Sequence, residues 1–521
     1  MEFQKTLLDA FSSIEEKILK KQKEDKHLLA QAILYSLYPH LLKNIPSFTV
    51  AEFTLKKESE PKPIMIKKGE RFFVFDDKKY FFSSCFSQTL WPISLETISL
   101  DFQNDALVLN LKITADTGFN NLPTKESDKL LFYVDPAKID SEKFLSLLSN
   151  KLEKLEIKSE KNFFNIQKKS ISIGNFSPDS HLFSEEDNTD DASSYLMDYF
   201  IFRQKFYFFE ICNIHDIFNN TKGSELLLSF YFKSSHDFFK KASYKDFIKI
   251  NCSVFINFFE KICEPLKISK TDYEYPLYPA MQQSEGEQEI ENIISMTFHS
   301  PSGIEKIAPF FYQKYHQDPH FLYYPLKKTD SSFYVSFSNK MLDFQNQTPP
   351  IINARVCCSN KYLPKYFYES SGLKLKWENN QNKNIEKIIT LSPFTRKLKW
   401  IENPEDHWRY LSLIYLKLPI DSYEQISLTE IFKKILHFHL PLSTSSALID
   451  KISDLTSKPF LTYSELNPQQ LSKGIEFFLS FDSTIEENDF FIFKSVIERY
   501  LKLHTPLNFI SKLTVNSRTI L

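Results

Sequence analysis

The sequence predicts an α+β, multi-domain, strand-rich protein with an N-terminal helical segment. Three observations carry that prediction. Aromatic and β-branched residues recur in short runs with a period of two, as at Ser47–Leu55, which suits a pleated strand. Helical spacing of three and four is confined to a few segments, the first at Leu7–Leu42. The 521 residues include 51 Phe and 25 Tyr but only 8 Gly, a bias toward strands and away from close backbone approaches. At ~150 residues per domain, the length fits roughly 3 to 4 domains.

Taken in order, Leu8, Phe11, Ile14 and Ile18, then Leu28, Leu29, Ala32, Ile33 and Leu37, mark one helical face that Pro39 and Pro46 end. Strands are expected at Ser47–Leu55, Arg71–Phe75, Lys79–Phe82, Leu107–Ile113 and Leu130–Val134. A helix capped by Ser141 is expected over Ser141–Leu155. Ser184–Ser194 is acidic and small and reads as a surface loop, and the aromatic Tyr195–Phe209 stretch as partly helical. Further strands fall at Leu226–Phe232, Lys249–Val254, Phe333–Phe337 and Asn353–Cys358, with loops at Gln282–Glu289 and 379–384. Helices follow at Leu428–Phe438 and Phe490–Leu503, while Trp408–Leu418 fits helix or strand. These elements divide into residues 1–45, a helical bundle segment; 46–245, a β-rich domain with inserted helices; 246–345, a β-rich middle domain; and 346–521, a C-terminal α+β domain.

The bulk numbers exclude several functions. Charged residues are 25% and hydrophobic ones 42%, ordinary values for a chain that buries a core. A net charge of -2 and a pI near 6.7 give no electrostatic case for nucleic acid or anionic lipid. The N-terminus carries Glu2, Asp9, Glu15 and Glu16 and does not read as a signal peptide, and no apolar run of ~18 residues suggests direct membrane insertion. The six cysteines, without C-x-x-C spacing, read as reduced thiols of a cytoplasmic protein.

Candidate chemistry is sparse. Neither G-x-x-x-x-G-K-[ST] nor G-x-G-x-x-G occurs, so no phosphate cradle is expected. His437 and His439 would share one face if they lay on a strand, but a third metal ligand is not in sight, and ordinary histidines are the better reading. Cys357 and Cys358 are adjacent, so on a strand they point apart and read as buried thiols. Glu185–Asp191 lacks the glycine and terminal Glu of a calcium loop. No catalytic residue, metal or cofactor is expected. The rival readings, an unrecognised hydrolase or a carbohydrate- or nucleic-acid-binding β protein, lack the residues each requires.

A series of short stretches, in order, resembles the TssF family (also called VasA or ImpG) of type VI secretion baseplate subunits. They are Leu34–Phe48 with Tyr38, Pro39 and Pro46; Ile66–Gly69; and Cys85–Ile93 with Trp91 and Pro92. Tyr199–Glu210 follows with Phe200, Lys205 and Phe206, although Gln204 stands in a stretch that has lost the family's proline. Next are Ile250–Leu266 with Asn251, Glu264 and Pro265; Tyr273–Leu277 with Tyr275 and Pro276; and Cys358–Pro364 with Asn360, Leu363 and Pro364. Trp408–Leu416, Gly474 with Glu476, Phe491–Tyr500 and Asn508 complete the order. The resemblance implies a fold like that of contractile-tail baseplate wedge proteins and a structural role. It also implies, as partners, TssG, TssK, a second copy of the chain, TssE, the sheath and the VgrG hub, in a cytoplasmic complex docked at the inner membrane through other subunits. The motif residues are expected to serve fold or assembly, with a hinge at Asn44–Pro46.

Overall fold

The computed structural model describes residues 16–17, 19, 21, 26–27, 29–31, 33–35, 39–56, 62–103, 106–122, 127–160, 162–183, 191–221, 223–233 and 246–269. It further describes 272–300, 303–310, 322–328, 332–338, 351–378, 384–401, 406–414, 428–441, 445–463, 471–482, 490–506 and 509–517.

A closed six-stranded barrel stands at the centre of the strand topology. Phe48–Leu55, Arg71–Phe75 and Lys79–Ser84 join Cys252–Ile256, Lys374–Trp377 and Ile385–Thr390, so the barrel closes on strands more than 300 residues apart in the chain. Its interior is aromatic: Phe72 packs edge-on to Phe255 at 4.9 Å between ring centres, and Phe82 stacks on Phe394 at 4.4 Å. An eight-stranded sheet, including Phe259–Ile262, Gln288–Ser300 and Ile351–Asn360, builds a second core around Ile293, Met296, Val335 and Val356. Strand pairing thus runs across both borders drawn from sequence at 245 and 345, because period-two patterning marks a strand without naming its partner.

The largest core joins three sheets. The five-stranded sheet (with Ala106–Thr114 at Glu225–Lys233), the four-stranded sheet (with Lys129–Val134 at Phe208–Cys212) and the C-terminal three-stranded sheet all contribute to it. Helices Ser141–Asn150, Asp191–Ile201, Leu428–His439 and Phe491–His504 fill the space between them. On Leu428–His439 the buried residues Ile431, Phe432, Ile435, Leu436 and His439 recur at steps of three and four, the stripe that the sequence displayed.

Several boundaries differ from expectation for physical reasons. Asp140, not Ser141, caps its helix, accepting from the Lys143 amide at 3.2 Å. That helix ends at Asn150, since Leu152–Lys158 is captured as a strand against Glu225–Lys233. Residues 184–190 of the acidic stretch lie outside the described residues, but Asp191–Ser194 already belongs to a helix whose Tyr195, Leu196 and Tyr199 enter the core. The 282–289 loop gives way to strand at Gln288, and Asp406–Ile414 is helix, which settles the ambiguity at Trp408. The described residues of 16–35 are helical, and Pro39–Leu42 adds a 3-10 turn before the first strand.

Gly474 sits where two strands press together in the C-terminal sheet. A Cβ there would lie 2.4 Å from the Phe460 ring and 2.8 Å from the Ile510 carbonyl oxygen. The ring can swing aside, but backbone cannot yield without moving a strand. Gly474→Ala should therefore destabilise the protein by about 1–3 kcal/mol, the range for overpacking, with the loss read by urea unfolding. A midpoint equal to that of the parent chain would show that the sheet tolerates the methyl group.

Candidate functional site

Two positions singled out by the family motifs, Asn251 and Asn360, stand where the chain passes from one sheet to another. At Asn251 it leaves the four-stranded sheet (Ile248–Ile250) and enters the barrel (Cys252–Ile256). The corner requires a φ of 54°, a left-handed conformation that asparagine accepts more readily than most residues. Its side chain then binds both main-chain groups of Trp91, accepting from the amide at 2.9 Å and donating to the carbonyl at 2.8 Å. Trp91 is 1% exposed and donates its indole N–H to the Lys129 carbonyl at 3.1 Å. Pro92, half-buried, follows it.

A matching arrangement ties the barrel to the eight-stranded sheet. Asn360 and Asn257 both donate to the Phe81 carbonyl at 2.9 Å, and the Asn360 amide donates to Asn257 Oδ1 at 3.0 Å. Sequence reasoning named Asn360 and missed Asn257, although Asn257 lies inside the quoted Ile250–Leu266 stretch.

Lys205 is the most unusual of the motif residues. It is fully buried, forms an ion pair with the fully buried Asp198 carboxylate, and lies 5.1 Å from the centre of the Phe206 ring. His181 Nδ1 is 2.8 Å from the same carboxylate, whose other oxygen accepts from the Leu182 amide at 3.2 Å. Burial alone would raise the Asp198 carboxyl, but Lys205 and His181 outweigh it and hold it below the usual carboxylate range. Neither Asp198 nor His181 stood out in the sequence, because an isolated acid or histidine has no periodic signature.

The remaining motif residues are mixed. Tyr275 is buried, with its hydroxyl 2.7 Å from the Ser269 carbonyl, and Pro276 lies on an edge strand where no ladder donor is needed. Pro364 precedes the Lys365–Tyr368 turn, Leu363 and Phe200 are half-buried, and Glu264 and Pro265 are exposed. Glu476 pairs with Lys512 at 3.0 Å. Pro39 opens the 3-10 turn and Pro46 is buried, while Tyr38 and Asn508 lie outside the described residues.

The segment Asn44–Pro46, where a hinge is expected, is tied to the body in this structure. Asn44–Ile45 pairs with Leu398–Lys399, and the Asn44 side chain donates to both oxygens of Glu291 at 2.9 and 3.0 Å. Lys327 reaches the same carboxylate at 2.8 Å, Lys397 at 3.0 Å and the Ser359 hydroxyl at 2.6 Å. Burial would raise the Glu291 carboxyl, but Lys327, Ser359 and Asn44 together hold it below its ordinary value.

The residues weighed for chemistry are placed as follows. His437 and His439 lie on a helix, where a spacing of two turns them to different sides, and His439 Nδ1 is 2.8 Å from the Ile435 carbonyl. Cys358 is buried on its strand while Cys357 is half-buried, and burial pushes the Cys358 thiol well up. The Cys263 thiol is likewise pushed up to about 12. A cleft of about 600 Å³ is lined by Asp179 and by charges that pair within the chain: Lys129 meets Glu210 at 2.9 Å, and Lys68 donates to the His181 carbonyl at 3.0 Å. Among the described residues, no helix is long and apolar enough to cross a membrane.

The buried Asn251, Asn257, Asn360 and Glu291 thus bind groups on neighbouring segments of the same chain. The model of the family "Type VI secretion system, TssF" matches residues 5–520, and the chain belongs to that family. Its role is that of a structural component of the secretion baseplate. A chain of the cryo-electron-microscopy structure of a TssK-TssF-TssG baseplate subcomplex aligns with a TM-score of 0.81 at 17% identity, over 99% of this chain and 96% of that one. A chain of a second type VI baseplate complex aligns with a TM-score of 0.66 at 16% identity, over 99% and 90%. Both show the fold. A search of curated proteins gave no significant match.

Breaking the buried pair gives a direct test of the Lys205 geometry. Lys205→Met leaves Asp198 charged and buried with only His181 and one amide, and should cost about 3–5 kcal/mol in denaturant unfolding. Because the folded Asp198 pKa is depressed, its contribution is present above the unfolded value and is lost as pH falls through the folded one. Asp198→Asn should flatten that acid limb. A Lys205→Met protein as stable as its parent at pH 7 would contradict the assignment.

Proposed function

We propose that this chain is a non-catalytic wedge subunit that binds TssG and TssK, works beside a second copy of itself, and lies near TssE, the sheath and the VgrG hub. The observation that carries the reading is the fold match over 99% of the chain to one component of a TssK-TssF-TssG subcomplex. The internal chemistry supports the non-catalytic part. Asp198, Glu291, Glu142 and Glu156 are buried carboxylates with shifted titration, and each meets a cation of the same chain. Glu142 rises to about 7 chiefly through burial, with Arg203 at 3.3 Å opposing that rise.

The N-terminal helix is the candidate partner-binding element. Leu19 and Leu29 are 52% and 54% exposed, while Ala30 and Leu34 face the core, so the helix offers apolar side chains on more than one side. A helix of that kind suits a bundle with helices of another subunit. In this reading the complex is cytoplasmic and docks at the inner membrane through other subunits. The motif residues serve the fold first, with the exposed Glu264 and Pro265 as candidates for partner contact.

Co-purification from cells expressing the whole gene set, followed by native mass spectrometry, tests this. Full-length tagged chain should recover TssG with two copies of the chain per TssG, together with TssK. Deleting residues 1–26 should leave the sheets folded and abolish recovery of TssG. A 1:1 complex, or full recovery after the deletion, would refute the proposal.

A further inference from the structure

The three-stranded C-terminal sheet has an apolar face that runs on past the core it covers. Its first two strands, Ile452–Tyr463 and Leu471–Phe481, pair antiparallel, with Leu455 opposite Leu479, Leu461 opposite Lys473 and Tyr463 opposite Leu471. Side chains alternate between the faces of a sheet, so these six residues share one face with Ile475 and Phe477. At one end that face is buried: Leu455, Ile475, Phe477 and Leu479 lie in the largest core, together with the apolar sides of helices Leu428–His439 and Phe491–His504. At the other end it is open, with Leu461 68%, Tyr463 63% and Leu471 58% exposed.

The topology explains the open end. Helix Phe491–His504 is the crossover to the third strand, Phe509–Ser517, which runs parallel to Leu471–Phe481 and begins opposite Lys473. The third strand therefore does not reach Leu471 or Tyr463. Three large apolar side chains on a paired strand surface form a contiguous patch, and covering such a patch is favourable in proportion to its area. Charge narrows what can cover it. Lys473 is the one charged residue on the open stretch, and it forms no ion pair among the described residues. A two-fold contact with a second copy would bring lysine toward lysine, with no acid on the face to answer either. An occupant that carries both apolar groups and a carboxylate fits, and the adjoining half of the same face is already covered by amphipathic helices.

We propose that the face formed by Leu461, Tyr463 and Leu471 is a docking surface for an amphipathic helix of a different subunit. That helix lays its apolar stripe on the three side chains and sets a carboxylate against Lys473, extending the cover that the chain's own two helices give the rest of the sheet. That the helix comes from another baseplate subunit rests on the functional reading above; its chemistry does not.

Photocrosslinking in the assembled complex tests this. Full-length chain with p-benzoylphenylalanine in place of Tyr463 is expressed with the whole gene set, and crosslinked peptides are read by mass spectrometry. The label should join a different subunit, at a segment with apolar residues at steps of three and four and an Asp or Glu beside them. Lys473→Glu should lower that crosslink about tenfold or more, with the urea midpoint of the isolated chain unchanged, and changing the acid of the captured segment to Lys should restore it. Crosslinks confined to the same chain or a second copy, none in a complex that still forms, or a Lys473→Glu chain that crosslinks as well as its parent would overturn the docking surface. So would hydroxyl-radical labelling that finds Leu461 and Leu471 protected in the isolated chain, a result that needs no partner. A parent chain that recovers no subunit contradicts the functional reading and this inference together, whereas a complex that forms with the wrong crosslink contradicts the inference alone.

Discussion

Where the chain crosses between sheets at Asn251 and Asn360, buried main-chain groups of Trp91 and Phe81 find their partners in asparagine side chains. Leaving such a group unpaired costs about 1–3 kcal/mol. The chain has only 8 Gly with which to turn such corners freely. It uses asparagine instead. Asn251 supplies both a left-handed corner and a bidentate clasp on Trp91, and Asn257 with Asn360 clasps the Phe81 carbonyl between barrel and eight-stranded sheet. Asn44 does the same work toward a carboxylate rather than toward main chain.

Charge is used where the joint must select a geometry. Lys205 and Asp198 are sealed within the protein, with His181 at the edge of the same carboxylate, and the pair fixes how the Asp191–Ile201 helix meets the following Arg203–Phe206 turn. Glu291 has the corresponding place at the N-terminal joint, with more cations and with lysines that are 17% and 20% exposed. Both arrangements tie together segments that are distant or turn sharply in the chain.

Much of this fold was legible. Phe333–Phe337 and Leu107–Ile113 alternate so plainly that their strands could be placed nearly to the residue, and the stripe of Leu428–His439 gave its helix. Local signals failed where tertiary pairing decides. Leu152–Lys158 continues a helical pattern in sequence but is claimed by a neighbouring strand, and Asn44, in a stretch whose prolines mark only the exit from the helix, is bound by Glu291 almost 250 residues away. Of the residues that join the sheets, Asn251, Asn360 and Lys205 were reachable through family motifs. Their partners Asp198, Asn257 and Glu291 were not, since burial and pairing across the chain leave no mark on local periodicity.

The central claim is that the Asn251 clasp makes the barrel and the four-stranded sheet one cooperative body. Fluorine NMR of protein labelled with 5-fluorotryptophan through a urea titration tests it without altering the chain, because Trp91 and Trp377 report on different sheets. Coincident transitions at both probes in the parent, and separated ones after Asn251→Ala, are the predicted result. Separate transitions in the parent protein would contradict the account.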